Sequence, residues 1–136
     1  MTAEWDNRGV KKGVEYAILT DEITKAWSGM NTRQYKNLKG LKKQNLRDNM
    51  SDLELVLNML AEATTTEISK TVEPETFEQN KNVARRGGRI AGNARLEIES
   101  DTGKPVITSQ NAAQLNTLLT DMIEGVAGDS GEDDKK

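Results

Sequence analysis

Basic side chains in two segments are the residues of this chain best suited to binding chemistry. Residues 33–47 contain six lysines and arginines and no acid, and residues 81–95 contain five more, again with no acid. Cations at this density can bind the phosphates of a nucleic acid or the carboxylates of an acidic protein. They can equally be the solvated face of short helices, so both interpretations stay open. The predicted basic patch consists of Arg33, Lys36, Lys39, Lys42, Lys43, Arg47, Arg85, Arg86 and Arg89.

Two further features of these segments suggest contacts with nucleic acid. Gly87 and Gly88 stand between Arg86 and Arg89, and glycine amides beside guanidinium groups can bind a phosphate. The P-loop pattern fails, however, because no Lys-Ser/Thr pair follows the glycines and no strand is predicted before them. Tyr35 could stack on a base, although aromatic residues make up only 4% of the chain.

The chain has no histidine and no cysteine. Thiolate chemistry, disulfides and Cys-ligated zinc are therefore excluded, and the commonest metal ligand and general base is missing. Acidic pairs such as Asp21 with Glu22 have neither the spacing nor the accompanying histidine of a carboxylate metal site. We therefore expect no enzymatic activity, no metal and no cofactor.

Helix signals position both basic segments. A first short helix is predicted from about residue 15 to the stop at Gly29. Asn31 with Gln34 forms a capping box that opens the next helix, which ends at Gly40. A third short helix contains Leu46 and ends near residue 49. The strand-like residues 104–108 are too short to form a sheet.

Three long helices are predicted over residues 51–70, 76–100 and 110–126. Ser51 with Glu54 is the capping box of the first of them, and Thr76 with Gln79 that of the second. The apolar stripe of the first long helix is Leu53, Val56, Leu57, Leu60, Ala61, Thr64 and Ile68. The second has an inward face rich in small residues, namely Val83, Ala84, Gly87, Ile90, Ala91, Ala94 and Ile98. Because Gly87 and Gly88 each cost about 1 kcal/mol relative to alanine in a helix interior, we expect Gly87 to pack closely against another helix.

The last of these helices carries an apolar stripe of its own. The stripe can complete the domain core, or it can form a homodimer or bind a partner protein. The residues of this predicted protein-interaction stripe are Leu115, Leu118, Leu119 and Met122.

The fold predicted from these signals is all-α. Residues 1–127 form a single compact domain of five to six helices with no sheet, and Trp5 and Trp27 anchor its core. Residues 128–136 are acidic and contain glycine and serine, so we expect a disordered tail. Without an apolar run of about 20 residues or an N-terminal signal segment, we expect a cytoplasmic protein that does not bind membranes.

Several short motifs between residues 5 and 111 are similar to a known family. They are Trp-Ser-Gly-Met at 27–30, Tyr-Lys-Asn-Leu-Lys-Gly-Leu-Lys at 35–42, Asn-Leu-Arg-Asp-Asn-Met at 45–50 and Leu-Ala-Glu-Ala-Thr-Thr-Thr-Glu at 60–67. In this order they resemble the C-terminal region of DNA-damage-inducible protein D and of the related phage antirepressor (BRO-type) family. The N-terminal BRO-type domain, which contacts DNA in those proteins, has no counterpart in this sequence.

The resemblance implies a protein of phage or mobile-element origin connected with the DNA-damage (SOS) response. On that basis we expect a non-enzymatic regulatory binding module that contacts a protein partner such as a recombinase filament, with weak and non-specific binding of nucleic acid as a further expectation. The alternative is a standalone phage-encoded inhibitor of a host recombination or defence protein. Salt-sensitive binding to DNA would favour the first, and DNA-independent binding to a host protein the second.

Overall fold

Residues 1–112 are described by a computed structural model, and they form five α-helices and one 3₁₀ turn with no β-strand among them. The α-helices are α1 (Thr2–Asn7), α2 (Val14–Ser28), α3 (Thr32–Leu38), α4 (Asp52–Val72) and α5 (Phe77–Thr102), and the 3₁₀ turn is Arg47–Asn49. The predicted all-α fold is confirmed. Beyond residue 112, the predicted last helix and the acidic tail lie outside the described residues. No helix within residues 1–112 is long and apolar enough to cross a membrane.

Capping residues begin and end the helices where the sequence predicts. Asn31 Oδ1 accepts a hydrogen bond from the backbone N–H of Gln34 at 2.8 Å, and Gln34 Oε1 accepts one from the N–H of Asn31 at 3.0 Å. Thr76 and Gln79 form the same capping box before α5. Gly29 ends α2 with φ 82°, a left-handed conformation that glycine adopts without strain. The short helix α1 was not predicted, because its N-terminus has no side-chain cap to indicate where a helix begins.

Glycines on α5 let two other helices approach its backbone closely. A Cβ atom at Gly87 would lie 2.7 Å from the Cα of Thr65 on α4, and one at Gly92 would lie 2.8 Å from a carbonyl oxygen of α2. Helix α5 is therefore the central helix, packed against both α2 and α4. The expected close packing of Gly87 is confirmed. Ile90, predicted on the same inward face, is 46% exposed instead, because the buried glycines Gly88 and Gly92 make the contact with α2.

Buried aromatic side chains fill the space between α1, α2 and α4. Trp5 and Trp27 are both buried, as predicted, and Trp27 is completely inaccessible. The indole N–H of Trp27 donates a hydrogen bond to Asn58 Oδ1 on α4 at 3.2 Å. A polar residue of α4 therefore contributes to the core as the acceptor for this tryptophan.

The inward face of α4 differs from its predicted apolar stripe. Leu57 and Ala61 are buried as predicted, but Leu53 and Val56 are 44% and 58% exposed, and Leu60 is 38% exposed. The buried residues of α4 are Glu54, Leu57, Asn58, Ala61, Thr65 and Ser69. Buried polar groups carry a large desolvation penalty unless they are hydrogen-bonded. Glu54, Asn58 and Ser69 can face inward because side chains from other parts of the fold hydrogen-bond them. Thr65 can do so because its hydroxyl donates to a carbonyl oxygen of α4 itself.

Glu4 connects α1 to α4 through one such partner. Its carboxylate accepts a hydrogen bond from Ser69 Oγ at 2.6 Å and one from Arg8 Nε at 2.8 Å. Burial by itself would raise the pKa of Glu4, but the hydrogen bonds from Ser69 and Arg8 outweigh it and hold the pKa below its ordinary value of 4.5. The carboxylate therefore stabilises the folded chain in its charged form.

Candidate functional site

Three of the six basic residues of the first segment line a groove between α2 and α3. The groove has a volume of about 780 Å³, and Arg33, Lys36 and Lys42 line it. None of these three cations forms an ion pair with an acid of residues 1–112. Asp21 also lines the groove, and its Oδ1 accepts a hydrogen bond from the backbone N–H of Thr32 at 3.1 Å. That carboxylate serves as a cap for α3, and the groove keeps an excess of positive charge.

A smaller cavity of about 300 Å³ adjoins this groove, because Thr20, Thr32 and Lys36 line both. At its rim, Arg47 Nη1 lies 3.0 Å from Glu62 Oε1, so these two charges neutralise each other. The apolar side chains lining the cavity are Met1, Trp5, Ile23, Leu46 and Met50. The further amide and hydroxyl side chains lining it are Thr2, Thr24, Asn45 and Asn58.

Lys39 lies in the interior, so its assignment to the basic patch is wrong. Its side chain and that of Glu54 are both completely buried, with Lys39 Nζ 2.9 Å from Glu54 Oε1. The ammonium group also donates to the carbonyl oxygens of Thr108 at 2.8 Å and Gln110 at 2.6 Å. All three of its protons therefore have acceptors, and Lys39 cannot bind an external anion. Its sequence spacing matched that of the surface lysines, and only the distant Glu54 distinguishes it.

Tyr35 belongs to the same buried cluster, so the suggestion that it stacks on a base is also wrong. The ring has no exposed surface, and its hydroxyl donates to Glu54 Oε1 at 2.5 Å. Burial raises the pKa of Tyr35 far above its ordinary value, and the hydrogen bond to Glu54 raises it further. The cluster fastens α3 and the residues around Thr108 to the N-terminal turn of α4. It therefore determines where α3 presents Arg33 and Lys36 to the groove.

Ser51 and Glu54 form only half of the predicted capping box. Ser51 Oγ accepts a hydrogen bond from the backbone N–H of Glu54 at 3.3 Å, as predicted. The Glu54 side chain, however, turns to Lys39 and Tyr35 and does not bond the N–H of Ser51. The reciprocal bond is lost because the buried ammonium of Lys39 and hydroxyl of Tyr35 are stronger partners for a carboxylate than the partly exposed amide of Ser51.

The second basic segment does not line either cavity. Arg85 is paired with Glu22 on α2, with Nε 3.0 Å from the Glu22 Oε1. Arg86 and Arg89 are exposed on α5, as is Lys43 in the loop after α3. The predicted patch is therefore divided, with Arg33, Lys36 and Lys42 at the groove, Arg47 at the adjoining cavity, and the arginines of α5 elsewhere. The predicted stripe of Leu115, Leu118, Leu119 and Met122 lies outside the described residues.

Residues that sequence reasoning missed line the smaller cavity. Trp5, Thr20, Asn45 and Asn58 come from four separate parts of the chain. No spacing rule connects them, and Trp5 was recognised only as a core residue. Within residues 1–112, no group of three or more acidic, histidine or cysteine side chains is placed to hold a metal ion.

Comparison of the chain with known protein families, with curated proteins and with solved structures found no match.

Proposed function

We propose that this chain is a non-enzymatic regulatory binding module whose working surface is the groove between α2 and α3. Its partner is a nucleic acid, either free or as part of a protein complex such as a recombinase filament. The observation that carries the proposal is the set of three cations, Arg33, Lys36 and Lys42, gathered at one concave surface without acidic partners in the described chain. The resemblance to the DNA-damage-inducible and antirepressor proteins supplies the biological context, a phage or mobile-element function in the SOS response.

Electrostatic considerations favour a polyanion over a single small anion. Two cations of the groove, Arg33 and Lys42, are exposed, and Lys36 is half-buried between them. When exposed cations bind successive phosphates, they displace the counterions condensed on the nucleic acid, and this release is the main driving force of non-specific binding. The overall charge of −3 opposes association, and we therefore expect weak binding that is confined to low salt.

The test is a titration of labelled single-stranded and duplex DNA with the full chain at several salt concentrations. Each phosphate contact contributes about −0.7 on a single strand, or −0.9 on a duplex, to the slope of log affinity against log salt. The Arg33→Gln/Lys42→Gln variant removes two contacts, so its slope on a single strand should be shallower by about 1.4. The matched control, Lys70→Gln/Lys104→Gln, changes the net charge equally at two exposed positions outside the groove. Equal slopes for the two variants would overturn the proposal.

The second candidate is a standalone inhibitor that binds a host recombination or defence protein directly. The observation that favours it is the exposed apolar row of Leu53, Val56 and Leu60 on α4. Contiguous apolar side chains on a surface commonly mark sites of protein interaction. Binding to a purified host recombinase in the absence of DNA, weakened by Val56→Lys and unaffected by Arg33→Gln/Lys42→Gln, would favour this candidate over the first.

A further inference from the structure

We propose that the face of α4 formed by Leu53 and Leu60 is a docking surface for the chain's own segment 113–126. Of the two roles that the sequence leaves open for the apolar stripe of this segment, docking on α4 completes the domain core. The surface is separate from the nucleic-acid groove. Once covered, it is not free to bind a host protein, as the second candidate function requires.

The docking surface presents apolar side chains to solvent. Leu53 is 44% exposed and Leu60 38% exposed. They are seven residues apart, so they lie on one face of α4, about two turns from each other. Leu53 also borders a depression of about 680 Å³ between the start of α4 and the end of α5, where Ile98 is partly exposed and Pro105 exposed. Covering this surface with another apolar element removes it from water and stabilises the fold.

Val56 marks the outer edge of the surface. Successive residues of an α-helix are about 100° apart, so the order round α4 from the buried Leu57 is Leu53, Leu60 and then Val56. The exposure of Val56, at 58%, is the highest of these. The segment therefore lies against Leu53 and Leu60 and leaves Val56 in solvent.

The chain leaves the described residues beside the start of α4. The backbone N–H of Thr108 donates to Glu54 Oε2 at 3.3 Å, and that of Ala112 donates to Asn49 Oδ1 at 2.8 Å. Asn49 precedes the first residue of α4 by three positions. Ala112 is itself helical, so a helix that continues from it starts at the same end of the domain as Leu53.

The length and spacing of the segment match the docking surface. In an α-helix, residues 113–126 extend about 20 Å, whereas Leu53 and Leu60 are about 10 Å apart along α4. Leu115 and Met122 are also seven residues apart. They can therefore meet Leu53 and Leu60 when the two helices run parallel, and the other two leucines of the stripe lie between these contacts.

Area and tethering favour the chain's own segment over a second copy. Leu53 and Leu60 each expose less than half of their surface, a small patch beside the roughly 800 Å² per partner that a stable interface buries. A segment joined to the domain at Ala112 is present at a high effective concentration. It can therefore occupy a surface that is too small to hold a separate molecule.

The first experiment uses the absence of cysteine from the chain. Two cysteines form an unstrained disulfide only when their Cα atoms are within about 7 Å, so a pair introduced into the full chain reports a contact. The matched pairs are Leu53→Cys with Leu115→Cys, and Leu60→Cys with Met122→Cys. The mismatched controls exchange the partners, which the parallel packing holds about 10 Å apart along the helix axis.

Under mild oxidation, the matched pairs should form a disulfide within one molecule several-fold faster than the mismatched controls. Equal rates, or a faster reaction of the controls, would overturn the proposed packing. A disulfide that links two molecules, seen as a dimer on a non-reducing gel, would assign the surface to a second copy and overturn the proposal as well.

The second experiment measures the thermal stability of the full chain without a cross-link. Leu60→Lys and Leu118→Lys should each lower the Tm, and the double variant should lower it by less than the sum, because either lysine alone releases the segment. The matched controls are Val56→Lys, at the outer edge of the surface, and Thr117→Lys, on the opposite side of the predicted helix. Both controls should leave the Tm unchanged. Additive losses, or equal losses for Leu60→Lys and Val56→Lys, would show that the segment does not cover α4.

Discussion

Replacing Lys39 by methionine tests the buried cluster that positions α3. Methionine approximates the length of the lysine side chain, so the substitution removes the charge and its three hydrogen bonds with little loss of volume. Glu54 would then be left as a completely buried carboxylate with no cation beside it. Tyr35 could still donate to it, at 2.5 Å, as could the more distant Ser51 Oγ at 3.2 Å and the backbone N–H of Thr108 at 3.3 Å.

The expected cost follows from these contacts. Removing one partner of a buried ion pair typically costs about 3–5 kcal/mol, because the remaining charge stays desolvated. The carbonyl groups of Thr108 and Gln110 also lose their donor, but they are only partly buried and water can replace it. We therefore add nothing for them and expect a loss of about 3–5 kcal/mol. For a domain of this size, about 3 kcal/mol corresponds to a fall in Tm of roughly 10 °C.

The assay is denaturant unfolding of the Lys39→Met variant, with Lys36→Met as the matched control. Lys36 lies in α3, three residues before Lys39, and has no acidic partner in the described chain, so its substitution should cost less than about 1 kcal/mol. Adding Glu54→Gln to Lys39→Met neutralises the orphaned charge, and the two changes should show a coupling energy of at least about 1 kcal/mol. If Lys39→Met unfolds like the control, or if the two changes are simply additive, the buried ion pair does not hold α3 in place.

Three further substitutions test other contacts. Gly87→Ala should lower the free energy of unfolding by roughly 1–3 kcal/mol in denaturant, despite the better helix propensity of alanine. Adding Thr65→Ala should not restore stability, because the new Cβ would meet the backbone of Thr65. Full restoration would show that only the threonine side chain clashes with the new Cβ. Glu4→Gln should be destabilising at pH 7, and its difference in unfolding free energy from wild type should shrink as the pH falls below about 4.5. The reason is that folding lowers the pKa of Glu4, so the stability that the carboxylate contributes is lost when it is protonated. The same series on Glu97→Gln, an exposed carboxylate, should show no such trend. Val56→Lys should change the free energy of unfolding by less than about 0.5 kcal/mol, because this valine is 58% exposed. A loss above about 2 kcal/mol would show that Val56 is a core residue.

Local signals predicted the helices well, because the residues that begin and end a helix act within one turn. Asn31, Thr76 and Gly29 each produced the expected boundary. The close approach at Gly87 was predictable too, since a glycine in mid-helix needs compensation. Helix α1 lacked a cap, and its stability comes from contacts such as that of Glu4 with Ser69, which are far apart in sequence.

Burial on α4 was harder to predict, because it depends on which polar groups meet across the fold. The spacing of Leu53, Val56 and Leu60 correctly suggested a helix, but it suggested the wrong inward face. Asn58 is inside because the indole of Trp27 needs an acceptor, and Glu54 is inside because Lys39 and Tyr35 surround it. Hydrophobic periodicity contains no information on such long-range polar pairs.

The candidate site depends on one helical turn in which two lysines have opposite roles. Tyr35 and Lys39, the residue that directly follows α3, are four residues apart, so they lie on one face of its last turn and both reach Glu54 in the interior. Lys36 lies on a neighbouring face, turned towards the groove and the adjoining cavity. The buried ion pair therefore fixes the rotation of α3 about its axis, and that rotation decides which lysine is available to a phosphate. A substitution of Lys39 should disturb binding only through the orientation of the helix, whereas a substitution of Lys36 should remove a contact and leave the fold intact. Measuring stability and binding on both variants separates these two roles, which the sequence alone presents as equivalent members of one basic run.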